Sequence, residues 1–154
     1  MKPKFQLLLI LFFSLPATVT SQQSLLQGEW RDHLSYLKCN RIAEVNEWIF
    51  CAAQSGMLSY NKNTHELRTH STATGLSDVQ VSTITYSPET NYLIVGYVNG
   101  NIDLLRENEK PLNISDIKRR IITADKRING IFTYGKTAYL SCCFVIVVLN
   151  LDRL

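Results

Sequence analysis

Along the chain, short apolar runs alternate with polar turn clusters at a nearly fixed interval, and the runs are too short for ordinary helices. Trp48-Ile49-Phe50-Cys51-Ala52-Ala53 leads through Gln54-Ser55-Gly56 into Met57-Leu58-Ser59-Tyr60-Asn61. The pattern returns as Tyr92-Leu93-Ile94-Val95-Gly96-Tyr97, Val98-Asn99-Gly100 and Asn101-Ile102-Asp103-Leu104-Leu105, with Gly100 standing 44 residues after Gly56. A third copy runs from Thr137 to Leu149, and its Val145 stands 45 residues after Gly100. Strand, tight turn and strand repeated at roughly 40–50 residues is the mark of propeller blades. A closed propeller takes about four to eight blades, so the pattern predicts part of a larger ring.

Each repeat can be written as four strands. The first holds Arg41–Glu44, Trp48–Ala53, Met57–Asn61 and Glu66–Thr69. The second holds Ser82–Tyr86, Leu93–Val98, Ile102–Arg106 and an outer segment around Ile117–Ile122. The third holds Gly130–Tyr134, Ala138–Cys142 and Ile146–Leu151, with no outer strand. Continuous runs such as Leu93-Ile94-Val95 and Ile146-Val147-Val148-Leu149 predict burial on both faces. Asn99-Gly100 predicts a two-residue primed turn, with Ser55-Gly56 in the same part. Val145 at the third turn predicts either another turn shape or strain, because a β-branched residue fits positive φ poorly. The fold class predicted is all-β: a partial β-propeller of about three four-stranded antiparallel blades, the last incomplete. Gly28 to Tyr36 reads as a strand without a partner in its own blade, placed to close a ring.

Residues 1–21 read as a secretory signal peptide rather than as part of the fold. Lys2 and Lys4 form a basic start, Phe5–Leu15 an apolar core, and Pro16 to Ser21 a small-residue exit. The apolar core is about eleven residues long, short of the roughly 20 that span a bilayer. Residues 22–154 are then the N-terminal fragment of a propeller domain, exported and with no membrane span in the mature chain. Without Lys2 and Lys4, 14 basic residues face 13 acidic ones, so nothing points to a nucleic-acid footprint, which needs basic residues gathered on one face. Lys118-Arg119-Arg120 and Lys126-Arg127 read as solvated loop or outer-strand charges.

Four cysteines in an exported chain raise the question of disulfides. Cys51 and Cys142 sit inside apolar strand patterns, and the adjacent Cys142 and Cys143 point to opposite faces of a sheet. The expectation is free cysteines, with Cys51 and Cys142 outside any intramolecular bond, and no metal site, since no Cys-x-x-Cys occurs.

Catalytic patterns are not found. There is no Gly-x-Ser-x-Gly elbow, and His33, His65 and His70 read as solvated surface residues. Asp78, Asp103, Asp116 and Asp125 are the carboxylates a functional reading would reach for. Asp78 and Asp125 read as turn caps accepting backbone N–H groups ahead of calcium or substrate binding, and Asp103 reads as ordering its hairpin in the same way. The aromatics Trp30, Tyr36, Trp48, Tyr60, Tyr86, Tyr97 and Tyr139 read as blade packing. No catalytic, cofactor-binding or metal residue is assigned, and no cofactor is expected.

The series Gly28 to Tyr36, Gly75-Leu76-Ser77-Asp78, Gly100-Asn101-Ile102-Asp103-Leu104, Asn113-Ile114-Ser115-Asp116-Ile117-Lys118 and Ala138-Tyr139-Leu140-Ser141 resembles the N-terminal propeller of PorZ-type surface proteins of the Bacteroidetes type IX secretion system. More loosely, it is similar to two-component-regulator propeller repeats. Around Cys143 and Val145 the family usually reads two glycines. The resemblance implies a non-enzymatic protein-interaction module of a cell-surface attachment complex in the periplasm or on the outer surface of a Gram-negative bacterium. It also implies sortase-like and outer-membrane protein partners and anchoring on anionic lipopolysaccharide. The alternative it leaves is a periplasmic ligand-sensing propeller of a hybrid two-component regulator. A propeller lyase or glycosidase would need paired acids or a Tyr/His pair around a channel, which the chain does not display.

Overall fold

A computed structural model describes residue 36 and residues 38–154. The signal segment, His33 and the strand expected over Gly28–Tyr36, apart from Tyr36 itself, lie outside the described residues. Among the described residues eleven strands build three antiparallel sheets. The first contains β1 (Cys39–Val45), β2 (Trp48–Ala53), β3 (Gly56–Asn61) and β4 (Leu67–His70), neighbours in that order. The second contains β5 (Val81–Ser87), β6 (Tyr92–Tyr97), β7 (Ile102–Leu105) and β8 (Leu112–Ile114) in the same order, and the third β9 (Ile128–Tyr134), β10 (Thr137–Cys142) and β11 (Ile146–Asn150). Three sheets of four, four and three strands are the predicted partial β-propeller.

The sheets stack through their first strands, β1 against β5 and β5 against β9. Hydroxyl groups stitch the second contact. Thr85 Oγ1 donates to the Ile131 carbonyl at 2.9 Å, and Ser82 Oγ sits 2.7 Å from the Ile128 carbonyl. Both pairs are 46 residues apart, which is the blade repeat expressed as a contact.

β6 shows why its apolar run is continuous. Leu93, Val95 and Tyr97 enter the core between blades one and two, with Ala43, Met57, Val81 and Ile84. Ile94, on the opposite face, enters the core between blades two and three, with Ile102, Leu104, Ile128 and Leu140. A middle strand thus buries both faces, each aliphatic side chain contributing about 1.5–3 kcal/mol. In β11 only half of this holds. Val147 and Leu149 pack on the second core, whereas Ile146 and Val148 are 67% and 61% exposed. No further sheet covers that face among the described residues.

Several expectations are corrected. The outer strand of blade two is Leu112–Ile114, not the segment 117–122. There the chain makes a single helical turn, α1 (Asp116–Arg119), which buries Ile117 and leaves Ile121 in solvent. The hairpin at Asn99-Gly100 is not a two-residue primed turn. Tyr97 N–H bonds the Asn101 carbonyl across a three-residue loop, and only Gly100 has positive φ, +81°. That geometry is a turn closed by a left-handed residue, the usual three-residue form. Gln54 and Ser55 form the first hairpin, and Gly56 is a strand residue opposite Ala53. A Cβ on Gly56 would lie 2.4 Å from the His70 carbonyl oxygen, so glycine is required there by close approach. Val145 is unstrained. Cys142 N–H bonds its carbonyl at 3.0 Å, and its φ is not positive.

The cysteine expectation fails at one pair. Cys39 and Cys51 are joined by a disulfide across β1 and β2, their Cα atoms 5.8 Å apart. The pairing slips between Cys39 and Arg41, so Cys39 lies opposite Ala53, and this bulge brings the strand end back toward Cys51. Cys142 and Cys143 are free, the first buried and the second exposed.

Candidate functional site

The carboxylates singled out by sequence separate into different roles. Asp103 stands alone among the aliphatics of β7 and is fully buried, at 0% exposure. A buried charge must be met by hydrogen bonds, and three donors meet it. Ser77 N–H lies 2.8 Å and the Tyr97 hydroxyl 2.6 Å from Oδ2, and Asn113 Nδ2 lies 2.8 Å from Oδ1. The carboxylate therefore ties the loop before β5 to β6 and β8, rather than capping its own hairpin. Burial, then the bond to Asp103 and its charge, hold the Tyr97 phenol well above the ordinary tyrosine range.

Asp78 extends the network. Its Oδ2 accepts from Asn99 Nδ2 and Lys118 Nζ, both at 2.6 Å, and its Oδ1 accepts from Val79 N–H at 2.9 Å. Burial raises the pKa of Asp78, but the bonds from Lys118, Asn99 and Val79 outweigh it and hold the carboxyl below its usual value. Lys118, expected to be a solvated charge, is an ion-pair partner instead. Asp125 keeps the expected role, accepting Arg127 N–H at 2.9 Å. Asp116 begins α1 without a side-chain cap.

Between blades one and two lies a groove of about 550 Å3, lined among others by Trp48, Phe50, Arg68, His70 and Arg106. One guanidinium–aromatic stack, Arg68 on Trp48, lies in it, and a second joins Arg106 of its rim to Tyr92, which packs on the core between blades two and three. Arg68 Cζ sits 4.2 Å from the centroid of Trp48, and Arg106 Cζ 4.0 Å from that of Tyr92. Each arginine is bound to a carboxylate, Glu66 and Glu109 respectively, so the charge that the two guanidinium groups bring to the groove is paired. His70 is a correction. It is part-buried rather than solvated, its Nε2 lies 2.8 Å from Ser59 Oγ, and its ring centroid lies 5.6 Å from that of Phe50. Burial, with Arg68 nearby, lowers its pKa. Ser59 is itself almost fully covered and borders the groove beside His70. His65 is exposed, its Nδ1 hydrogen-bonded to the Tyr60 hydroxyl. Among the described residues no group of three or more His, Cys, Asp or Glu is arranged to hold a metal ion.

The third feature is the open face of blade three. Phe132 and Tyr134 of β9 are 65% and 75% exposed, and Tyr139, Ile146 and Val148 share their side of the sheet. Phe132, Tyr139 and Val148 form one cross-strand row, with ring centroids of the first two 6.4 Å apart. Tyr139 thus packs on a surface, whereas Tyr97 packs in the core.

Comparison with known proteins bears on these surfaces. The sequence model of the family described as TSS9, PorZ, N-terminal beta-propeller domain matches residues 49–154. Among proteins of curated function, none matches the chain in sequence. Among solved structures, the chain is similar to PorZ of Porphyromonas gingivalis, described as an essential bacterial surface component of the type IX secretion system. Identity is 32%, TM-score 0.73, and the match covers 78% of this chain and 16% of that one. The extracellular domain of BT4673 from B. thetaiotaomicron, a one-component or hybrid two-component system, shares the fold at 15% identity and TM-score 0.63, covering 80% of this chain and 17% of that one. The chain therefore spans about a sixth of the length of the proteins it matches. With the family match over 49–154 and three blades in the matching arrangement, the chain belongs to the family of PorZ N-terminal β-propeller domains.

Proposed function

We propose that the chain supplies the opening blades of a propeller that serves a type IX secretion attachment complex at the cell surface by protein contact, not by catalysis. The observation that carries the reading is family membership combined with 32% identity to a surface component of that system. The open face of blade three fits it as well. Phe132, Tyr134, Tyr139, Ile146 and Val148 make an apolar sheet face like the faces buried between the other blades, and a further blade of the same polypeptide is its proposed cover. Residues 1–21 are proposed to direct export, and the mature domain to work in the periplasm or on the outer surface. Among the described residues no helix is long and apolar enough to cross a membrane. The finer form of the proposal places a sortase-like subunit and an outer-membrane protein among the partners, with anionic lipopolysaccharide as the anchor to which cargo is attached.

Crosslinking mass spectrometry on intact cells carrying the tagged natural polypeptide tests this. Crosslinks from Lys62, Lys110 or Lys136 to subunits of the secretion complex are expected, and deletion of the polypeptide should release cargo from the surface. Crosslinks to sensor-kinase subunits alone, with cargo still attached after deletion, would overturn the reading.

A further inference from the structure

The pairing of every blade slips at the same place. In blade one Cys39 faces Ala53 and Arg41 faces Ala52, leaving Asn40 as an extra residue. In blade two Val81 faces Tyr97 and Thr83 faces Gly96, leaving Ser82. In blade three Ile128 faces Cys142 and Gly130 faces Ser141, leaving Asn129. Each slip is a β-bulge near the start of an inner strand, and each extra residue is polar. Bulges re-aim side chains and are over-represented beside functional sites.

The three bulges open on one cleft. Asn40, Ser82 and Asn129 line a cavity of about 510 Å3 together with Arg41, Gln80 and Arg127. None of its lining residues is acidic or aromatic. Arg41 is held by a bond from Nη1 to the Asn40 carbonyl at 3.0 Å, and no ion pair neutralises it among the described residues. Arg127 has the exposed Asp125 carboxylate 3.9 Å from its Nε, beyond hydrogen-bond range. Asn129 donates to Cys143 Sγ at 3.3 Å, which leaves its amide oxygen as an acceptor. Gln80 holds φ at +60°, a conformation that costs a non-glycine residue of order 1 kcal/mol and that collects at ligand sites. The Cys39–Cys51 disulfide fixes the strand end from which Asn40 and Arg41 reach the cleft.

Guanidinium groups present planar forks matched to a carboxylate, and carboxamides both donate to and accept from hydroxyl groups. We propose that the cleft at the start of the three inner strands binds a small hydroxylated carboxylate. Arg41 and Arg127 take its carboxyl group, and Asn40, Gln80 and Asn129 take its hydroxyls. This site is separate from the groove between blades one and two and does not depend on the secretion reading.

Isothermal titration of the natural polypeptide with glucuronate tests it, with glucose and sulfate as the other arms. Glucuronate is expected to bind, glucose and sulfate at least about tenfold more weakly. Arg41→Gln and Arg127→Gln are each expected to weaken glucuronate by about tenfold or more, the scale of one charge-assisted hydrogen bond. Both positions are exposed, so the variants should keep the parental unfolding midpoint, which is measured alongside. Four results overturn the site: no glucuronate binding at about 100 mM, equal binding of glucose, equal binding of sulfate, or affinity unchanged in both folded variants.

Discussion

Asp103→Ala is the perturbation that most directly tests what locks blade two together. The carboxylate is fully buried and takes three donors at 2.6–2.8 Å. Hydrogen bonds to a charged group are each worth about 1.5–3 kcal/mol, so the gross loss is roughly 4–9 kcal/mol. Part is recovered because the folded state no longer desolvates a charge, and breaking a buried polar cluster by removing one member typically costs about 3–5 kcal/mol. A net loss of about 3–4 kcal/mol should lower the urea midpoint by about 1.5–2 M at a slope near 2 kcal/mol per M. Tyr97→Phe removes one donor and should cost about 1.5 kcal/mol, and the double variant should cost at least about 1 kcal/mol less than the sum. Tyr97 adds a pH signature. Its folded pKa lies above the ordinary value of 10.0, so the folded state keeps a proton that the unfolded chain releases. The stabilisation is then fully present below pH 10 and is lost as pH rises above it, a slope that Tyr97→Phe should remove. A cost below about 1 kcal/mol for Asp103→Ala, or strict additivity with Tyr97→Phe, would refute the assignment of Asp103 as the tie.

Three further outcomes follow from the same structure. Peptide mapping under non-reducing conditions should recover a linked Cys39–Cys51 peptide with Cys142 and Cys143 alkylatable after unfolding. Closing a loop of that size is worth about 3 kcal/mol in the chain-entropy estimate, so Cys51→Ser should lose about 2–3 kcal/mol. Gly100→Ala should cost about 2–3 kcal/mol by denaturant titration, because φ is +81° and the new Cβ would lie 2.6 Å from Ile117 Cγ2. For His70, whose folded pKa lies below 6.5, protons bind the unfolded chain preferentially. Stability should therefore fall as pH drops below 6.5, and His70→Phe should flatten that fall.

The hairpins were legible in the sequence because both strands of each announce themselves as apolar runs around turn residues. What failed was whatever depended on register. The run Ile117, Ile121 and Ile122 looked like an outer strand, yet only Ile117 is wanted, as the residue that α1 tucks beneath Gly100. The true outer strand, Leu112-Asn113-Ile114, is three residues long, too short for alternation to show. The Cys39–Cys51 bond was hidden for a related reason. A regular hairpin folded about Asn46-Glu47 puts Ile42 opposite Cys51, and only the bulge at Asn40 brings Cys39 within reach.

Asp103 could have been found by a sharper question. A single carboxylate inside Ile102-Asp103-Leu104-Leu105 cannot face solvent if both faces of its strand are buried, so it must be met by donors from neighbouring strands. Propeller stacking supplies that second burial, and it is decided between blades rather than within one. The polar cleft has the same origin. Asn40, Ser82 and Asn129 are 42 and 47 residues apart, unremarkable singly, and they converge only because each stands just before the paired core of an inner strand. Superposing the repeats on their first strands, rather than on the glycine hairpins, would bring the three into one column. Polarity recurring there, each time directly after Cys39, Val81 or Ile128, is then the sequence trace of a surface that the stacked blades share.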